Sequence, residues 1–243
     1  MADSPFFSVV TVCRNEREKI RTTCESICGQ SYRDFEWIVI DGASTDGTLD
    51  VLREYEAQMA ALVSEPDAGI YNAMNKGIMR ASGIYLVFMN GGDCFSGRDA
   101  LKFVADAPEA GVLYGDLFLD GSNPSFKRFP DVLPPGYLLN NMLPHQASFI
   151  RRELFERYGG YDESFKIAGD YDLFARLLEI HRVSCFHVPY TLAVFNGEGI
   201  SKDLRYRALR KQENHRVRKT YFPRYRFSLK GLKEEVRSRR HKL

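Results

Sequence analysis

The stretch FEWIVIDGASTDGT, Phe35 to Thr48, decides the fold. Its first half is a run of β-branched and aromatic residues without alternation, the pattern of a strand buried on both faces. Its second half, from Gly42 to Gly47, consists of residues that favour a turn and then the cap of a helix. A buried strand ending in a turn and a helix is the repeating unit of a parallel α/β sheet, and the flanking sequence repeats it.

Upstream, FFSVVTV (Phe6–Val12) reads as another buried strand. The helix that follows carries Ile20, Cys24, Ile27 and Cys28 on one face and has a stop at Gly29. Downstream, TLDVLREYEAQMAAL predicts a helix over 48–62, and LVSEPD a short strand. AGIYNAMNKGIMRAS predicts a helix facing inward through Ile70, Met74, Gly77 and Ile78, and YLVFMN a further strand. ALKFVADAP is helical in pattern and GVLYGDLFLDG extended, whereas residues 121–147 are rich in Pro, Asn and Gly and read as a crossover loop. A helix with Leu173, Leu177, Leu178 and Ile180 as its contacts and a strand pair broken at Pro189 complete the pattern. The expected fold is an open, mostly parallel, Rossmann-like α/β sheet flanked by helices. One main domain (1–205) is followed by a basic, partly helical extension (206–243).

A chain of 243 residues, 44% of them hydrophobic, can bury a full core. No apolar run of about 20 residues and no secretory leader pattern is present, so a cytoplasmic location is expected. The five cysteines are scattered, and Cys24 and Cys28 lack a second pair to complete a zinc site, which favours free thiols. The net charge of +2 hides an asymmetry: from Lys202 onward there are 16 Lys/Arg against 4 Asp/Glu, while the rest of the chain is acidic. Such a tail is attracted to polyanions. Anionic phospholipid at the inner face of the cell membrane is the partner expected, and nucleic acid is not.

In open parallel sheets, ligands lie beyond the carboxyl ends of the strands. That rule selects Arg14, Asn15 and Glu16, then Asp41 with Ser44 and Asp46, then Asp67, then Asp93. CRNERE has no glycine after the first strand, which excludes the Gly-x-Gly-x-x-Gly dinucleotide site, and no P-loop occurs. No Gly-x-Ser-x-Gly elbow supports a hydrolase. Carboxylates on such a rim suit Mg²⁺ or Mn²⁺ shared with a phosphorylated ligand, and Asp93 follows two glycines that allow close backbone approach.

The segments VVTVCRNE, WIVIDGASTDGT, SEPDAGIYNAMNKG, YLVFMNGGD, HQASFIRRELFERYGGYDE and AGDYDLFARLL resemble, in order and spacing, family 2 glycosyltransferases of the GT-A fold. The likeness is to bacterial members that build O-antigen and other surface polysaccharides, and it covers residues 6–201. It implies a nucleotide-sugar donor, usually a UDP-sugar, flanked by Thr11, Asn15 and Glu16. Asp41 would accept from the pyrimidine N–H, and Asp67 and Asn75 would lie nearby. It implies a divalent cation, Mn or Mg, on Asp93, since NGGD keeps only the last acid of the family's Asp-x-Asp cluster. Asn196 stands where many relatives have a metal-contacting histidine. Asp170 is implied as the base of inverting transfer, with Gly169 in place of the family's Glu. Asn90, Gly91, Gly92, His145 and Gln146 would lie at the donor-sugar and acceptor side.

The reaction implied is inverting transfer of a sugar to a growing glycan, presumed lipid-linked, with the enzyme peripheral at the membrane. Two other readings stand beside it. A sugar-nucleotide pyrophosphorylase would want a glycine-rich loop after the first strand. An inactive nucleotide-sugar or glycan-binding subunit is suggested by the acids missing at 90–92 and 169.

Overall fold

The computed structural model describes residues 4–121, 123–196 and 204–226. The first half alternates β1 (Phe7–Cys13), α1 (Arg17–Cys28), β2 (Phe35–Asp41), α2 (Thr48–Arg53), β3 (Ala61–Ser64), α3 (Ile70–Arg80) and β4 (Tyr85–Phe88). Every residue of β1 is buried, because it pairs in parallel with β2 on one side and β4 on the other. The register sets Cys13 beside Asp41 and Val10 beside Phe88, so the carboxyl ends of these strands finish at one edge. Beyond β4 the pairing persists, since Met89 N–H donates to Val10 and Gly91 N–H to Val12. The segment 89–91 is thereby held against the end of β1.

The second half contributes β5 (Cys94–Phe95), α4 (Ala100–Ala105), β6 (Val112–Leu119), β7 (Ser125–Lys127), β8 (Ser148–Arg151), α5 (Arg152–Tyr158), α6 (Gly169–Ala175) and β9 (Cys185–Phe195). The sheet runs β3-β2-β1-β4-β8-β6-β9-β5, with β7 paired to β6. β8 lies antiparallel between β4 and β6, and β6 and β9 are again parallel. The chain closes with α7 (Arg207–Tyr221) and α8 (Pro223–Arg226), and Glu213, His215 and Val217 of α7 are buried. Residues 227–243, the last part of the basic extension, lie outside the described residues.

Several elements depart from the sequence expectation. The helix expected over 48–62 stops at Arg53, because Ala60 N–H donates to Trp37 and the next four residues join β2 as β3. Sheet pairing there outweighs helix propensity. The strand pair expected around Pro189 is one strand, β9: Gly115 pairs with Val188 and Asp116 with Thr191, so Pro189 and Tyr190 form a bulge that tolerates the missing N–H. β5 and β7 were not anticipated. After Ala175 the last helix widens into a π-type turn, Arg176–Ile180, which leaves Ile180 exposed while Leu173 and Leu177 are buried.

Two glycines fix helix positions against neighbours. A Cβ at Gly77 would lie 2.3 Å from a Val10 methyl, so α3 meets β1 at backbone distance. A Cβ at Gly169 would lie 2.6 Å from the Tyr71 ring, so that ring lies over the start of α6.

Candidate active site

The first two strand ends are knitted together. Asn15 N–H donates to Ser44 Oγ (2.8 Å), Thr45 N–H to Asn15 Oδ1 (2.9 Å), Glu16 N–H to Thr48 Oγ1 (2.8 Å) and Arg17 N–H to Asp46 (3.1 Å). Asp41 lies beneath them, fully buried, accepting from the hydroxyls of Ser44 and Ser64 and from the Ser44 N–H. Ser44 and Asp46 therefore organise the turn and the start of α2, as their types predict.

Several residues expected at the nucleotide also have partners within the protein. Thr11 is in the core, where its hydroxyl accepts from the Trp37 indole N–H at 3.0 Å. Asp41 faces its serines. Asn15, at φ 55°, spends its side-chain oxygen on the neighbouring turn. Asn75 clasps the loop before α6: its amide donates to Tyr161 C=O (3.0 Å) and Glu163 (2.8 Å), and its oxygen accepts Tyr161 N–H (2.8 Å). These residues hold the loops together, because a residue type suited to a ligand suits a turn equally well. Asp67 does reach the third strand end, paired with Lys76 at 2.7 Å, and a Cβ on Gly42 would touch its carboxylate at 2.8 Å.

The two glycines before Asp93 also differ from expectation. A Cβ on Gly91 would press on Cys13 (3.0 Å) and Glu16 (3.1 Å), so this glycine lets two loops meet. Gly92, at φ 94°, is buried and donates its N–H to Thr23 Oγ1 at 3.0 Å. Their role is to seat Asp93 against α1, whose Thr23 hydroxyl donates to the Asp93 carbonyl at 2.7 Å.

Asp93 is 7% exposed. Burial pushes its carboxyl up from 3.8 to about 6, against the opposing effects of His145, the Gln146 side chain and the Asn196 N–H, while Glu16 adds repulsion. Burial likewise raises Glu16. The structure thus brings Asn196 to Asp93 through its backbone. Gln146, buried beside His145, is held on Asp93 through its side chain.

Asp170 sits in the first turn of α6, 8% exposed. His145 stands between the two acids, with Nδ1 3.2 Å from Asp170 Oδ2 and Nε2 3.9 Å from Asp93. Burial pulls the imidazole pKa down, but the charges of Asp170 and Asp93 outweigh it and hold it above 6.5. Asn90 Nδ2 is 3.1 Å from Nε2. Asn90 Oδ1 is buried here without a hydrogen-bond partner, and the buried Tyr161 hydroxyl lies beside the Asp170 carboxylate.

Sequence reading missed the supports of Asp170. Tyr71 and Tyr161 stack at 5.3 Å beside it, and the Tyr71 ring fills the space that the family's Glu would need at 169. Glu213 of α7 accepts the N–H groups of Lys166, Ile167 and Ala168, each at 2.9 Å, just before α6. Tyr221 donates to Asp172 at 2.9 Å, and Arg176 lies 3.8 Å from the same carboxylate, the pairing its spacing predicts. The available signal was a single acid, four residues before Val217, in an otherwise basic helix.

Among the described residues, no three His, Cys, Asp or Glu side chains converge as a metal site, and no helix is long and apolar enough to cross a membrane. The five cysteines are free.

An α/β sheet with carboxylates gathered at its strand ends defines a ligand-binding class, and comparison with known proteins specifies it. The profile of Glycosyl transferase family 2 matches residues 8–159, and the chain belongs to that family. An uncharacterized glycosyltransferase of Mycobacterium tuberculosis is 36% identical over 183 residues, covering 72% of this chain and 70% of that protein. A PGL/p-HBAD biosynthesis glycosyltransferase of Mycobacterium bovis is 27% identical over 203 residues, covering 81% and 78%. The fold is GT-A: S. aureus TarS 1-349 in complex with UDP-GlcNAc superposes with TM-score 0.73 at 16% identity, covering 94% of this chain and 69% of that one. The mannosyltransferase PcManGT of Pyrobaculum calidifontis, in complex with GDP-Man and Mn²⁺, gives 0.67 at 21% identity, covering 89% and 64%.

Proposed function

We propose that this chain is an inverting glycosyltransferase that moves a sugar from a nucleoside diphosphate, UDP in the first instance, to a hydroxyl of a growing bacterial cell-envelope glycan. The observation that carries the reading is the pair Asp93 and Asp170 on either side of His145, at the carboxyl edge of the sheet. Relatives and neighbours support its direction: one is named for PGL/p-HBAD biosynthesis, one holds UDP-GlcNAc, and one holds GDP-Man with Mn²⁺.

Asp93 is the residue to hold Mn²⁺ or Mg²⁺. A single buried carboxylate fits a cation that takes its other oxygens from diphosphate and water, and the absence of a three-residue cluster among the described residues accords with that. When bound, the cation would neutralise charge on the departing diphosphate. Asp170 takes the proton of the acceptor hydroxyl as that oxygen bonds to the anomeric carbon. The electrons of the cleaved carbon–oxygen bond leave with the diphosphate. His145 on Oδ2 and the Tyr161 hydroxyl beside the carboxylate hold Asp170 for that step. Loops 14–17, 42–46 and 65–67 frame the nucleotide, with Glu16 and Asp67 its nearest acids. The acceptor is a lipid-linked glycan, and the basic extension meets anionic lipid.

The test is a panel of nucleotide sugars, led by UDP-GlcNAc and GDP-mannose, scored for Mn²⁺-dependent release of nucleoside diphosphate with wild type and Asp170→Asn. Release by wild type and its loss in a variant that still binds nucleotide is the expected result. Equal turnover by both would remove Asp170 as the base, and no turnover with any donor would favour a binding subunit. Loss of liposome binding on deleting residues 227–243 tests the membrane role.

A further inference from the structure

We infer that His145 is a positioning residue for Asp170: its Nδ1–H fixes one carboxylate oxygen and thereby the direction of the other. The inference deepens the proposed reaction and rests on Asp170 being its base.

The geometry assigns the ring a definite orientation. Nδ1 lies 3.2 Å from Asp170 Oδ2, and an ionised carboxylate can only accept, so Nδ1 carries a proton. On the far side Nε2 lies 3.1 Å from the Asn90 amide. That amide serves either ring state: it donates Nδ2–H to a bare Nε2, or, turned over, accepts from Nε2–H through Oδ1. Nδ1–H is present in both. The chain Asn90–His145–Asp170 thus needs no particular charge on the ring.

The effect is on the base. Asp170 projects from the first turn of α6 with Gly169 before it; its Oδ1 is buried, and the Tyr161 hydroxyl lies beside the carboxylate. With Oδ2 fixed, rotation about the carboxylate torsion is stopped and Oδ1 keeps one direction. A base locked by a third group is the arrangement that nucleophile and base pairs use elsewhere. Pro144 precedes His145, and the short turn His145–Ala147 runs directly into β8, so the imidazole is anchored to the sheet.

The experiment compares His145→Ala, His145→Asn and His145→Gln on the donor giving the fastest nucleoside diphosphate release in the panel. An Asn amide reaches about where Nδ1 stands, and a Gln amide about where Nε2 stands. His145→Ala should lower kcat by about 10- to 100-fold with donor KM little changed, since misplacing a catalytic group costs rate. His145→Asn should recover most of the loss and His145→Gln little. In an Asp170→Asn background, His145→Ala should change nothing further. Equal rescue by Gln, an unchanged kcat in His145→Ala, or a loss confined to KM would each overturn the inference. A fully active Asp170→Asn would instead overturn the reading of the base.

A second readout does not depend on turnover. In ¹⁵N-histidine-labelled protein, His145, assigned by its loss in His145→Gln, should show a proton on Nδ1 that exchanges faster in Asp170→Ala. A ring protonated only at Nε2 would refute the assignment.

Discussion

Asp93→Asn should make the ligand-free protein more stable while abolishing metal-dependent transfer. Burial lifts this carboxyl from 3.8 to about 6, so the folded protein holds its proton more tightly than the unfolded chain does. The sign follows from linkage: between those values the folded state binds more protons, and stability falls as pH rises. Above pH 7 the ionised side chain costs the fold about 3 kcal/mol. Asparagine removes that cost and keeps an oxygen for the N–H of Asn196 or the amide of Gln146, but not for both. One lost hydrogen bond takes back about 1 kcal/mol, leaving a net gain of about 2 kcal/mol at pH 8. Because the cost builds up across the window, roughly half of it is already relieved at pH 5. Urea denaturation of wild type and variant at both pH values measures the difference. A variant less stable than wild type at pH 8, or a difference independent of pH, would refute the reasoning. With Mn²⁺ and UDP present, wild type alone should gain stability.

Glu213→Ala strips two buried N–H groups, and the part-buried one of Lys166, of their acceptor and should cost about 3–5 kcal/mol in urea titrations, with Glu213→Gln in between. Thr11→Val leaves the buried Trp37 N–H without a partner, so stability should fall by about 1–3 kcal/mol while donor KM stays as in wild type. Gly77→Ala drives a methyl into Val10 and should cost about 1–3 kcal/mol by thermal melting, less what alanine returns as a better helix former. The two carboxylates hold the His145 pKa above 6.5, so its contribution is complete below 6.5 and is lost as pH rises through the folded value. The ligand-free protein should therefore melt higher at pH 6 than at pH 8.5, with a shallower slope in His145→Ala.

Periodicity and strand-end rules made much of this molecule legible before folding was considered. A buried strand must be apolar on both faces, so β1, β2 and β4 announce themselves, and Asp93 and Asp170 follow from the segments behind them. Less legible were the partners of polar side chains that answer to distant neighbours. Thr11, Asp41 and Asn75 have the polarity of ligand contacts, and each is also bonded to a residue at least 23 positions away: Trp37, Ser64 and Tyr161.

The sequence alone therefore determined the parallel half of the sheet, the edge where its polar groups gather and the family to which the chain belongs. Local pattern suffices for these, because burial on both faces and turn chemistry act within a few residues. Tertiary structure decided what each polar residue is for. His145 reaches Asp170 across 25 positions and Glu213 reaches the same helix from the far end of the chain, and no spacing rule connects them. It also showed why two glycines stand where acids or larger residues are expected: Cys13 and Glu16 crowd Gly91, and Tyr71 crowds Gly169. Packing at close contact is a property of pairs brought together by folding, and a single sequence carries no record of those pairs.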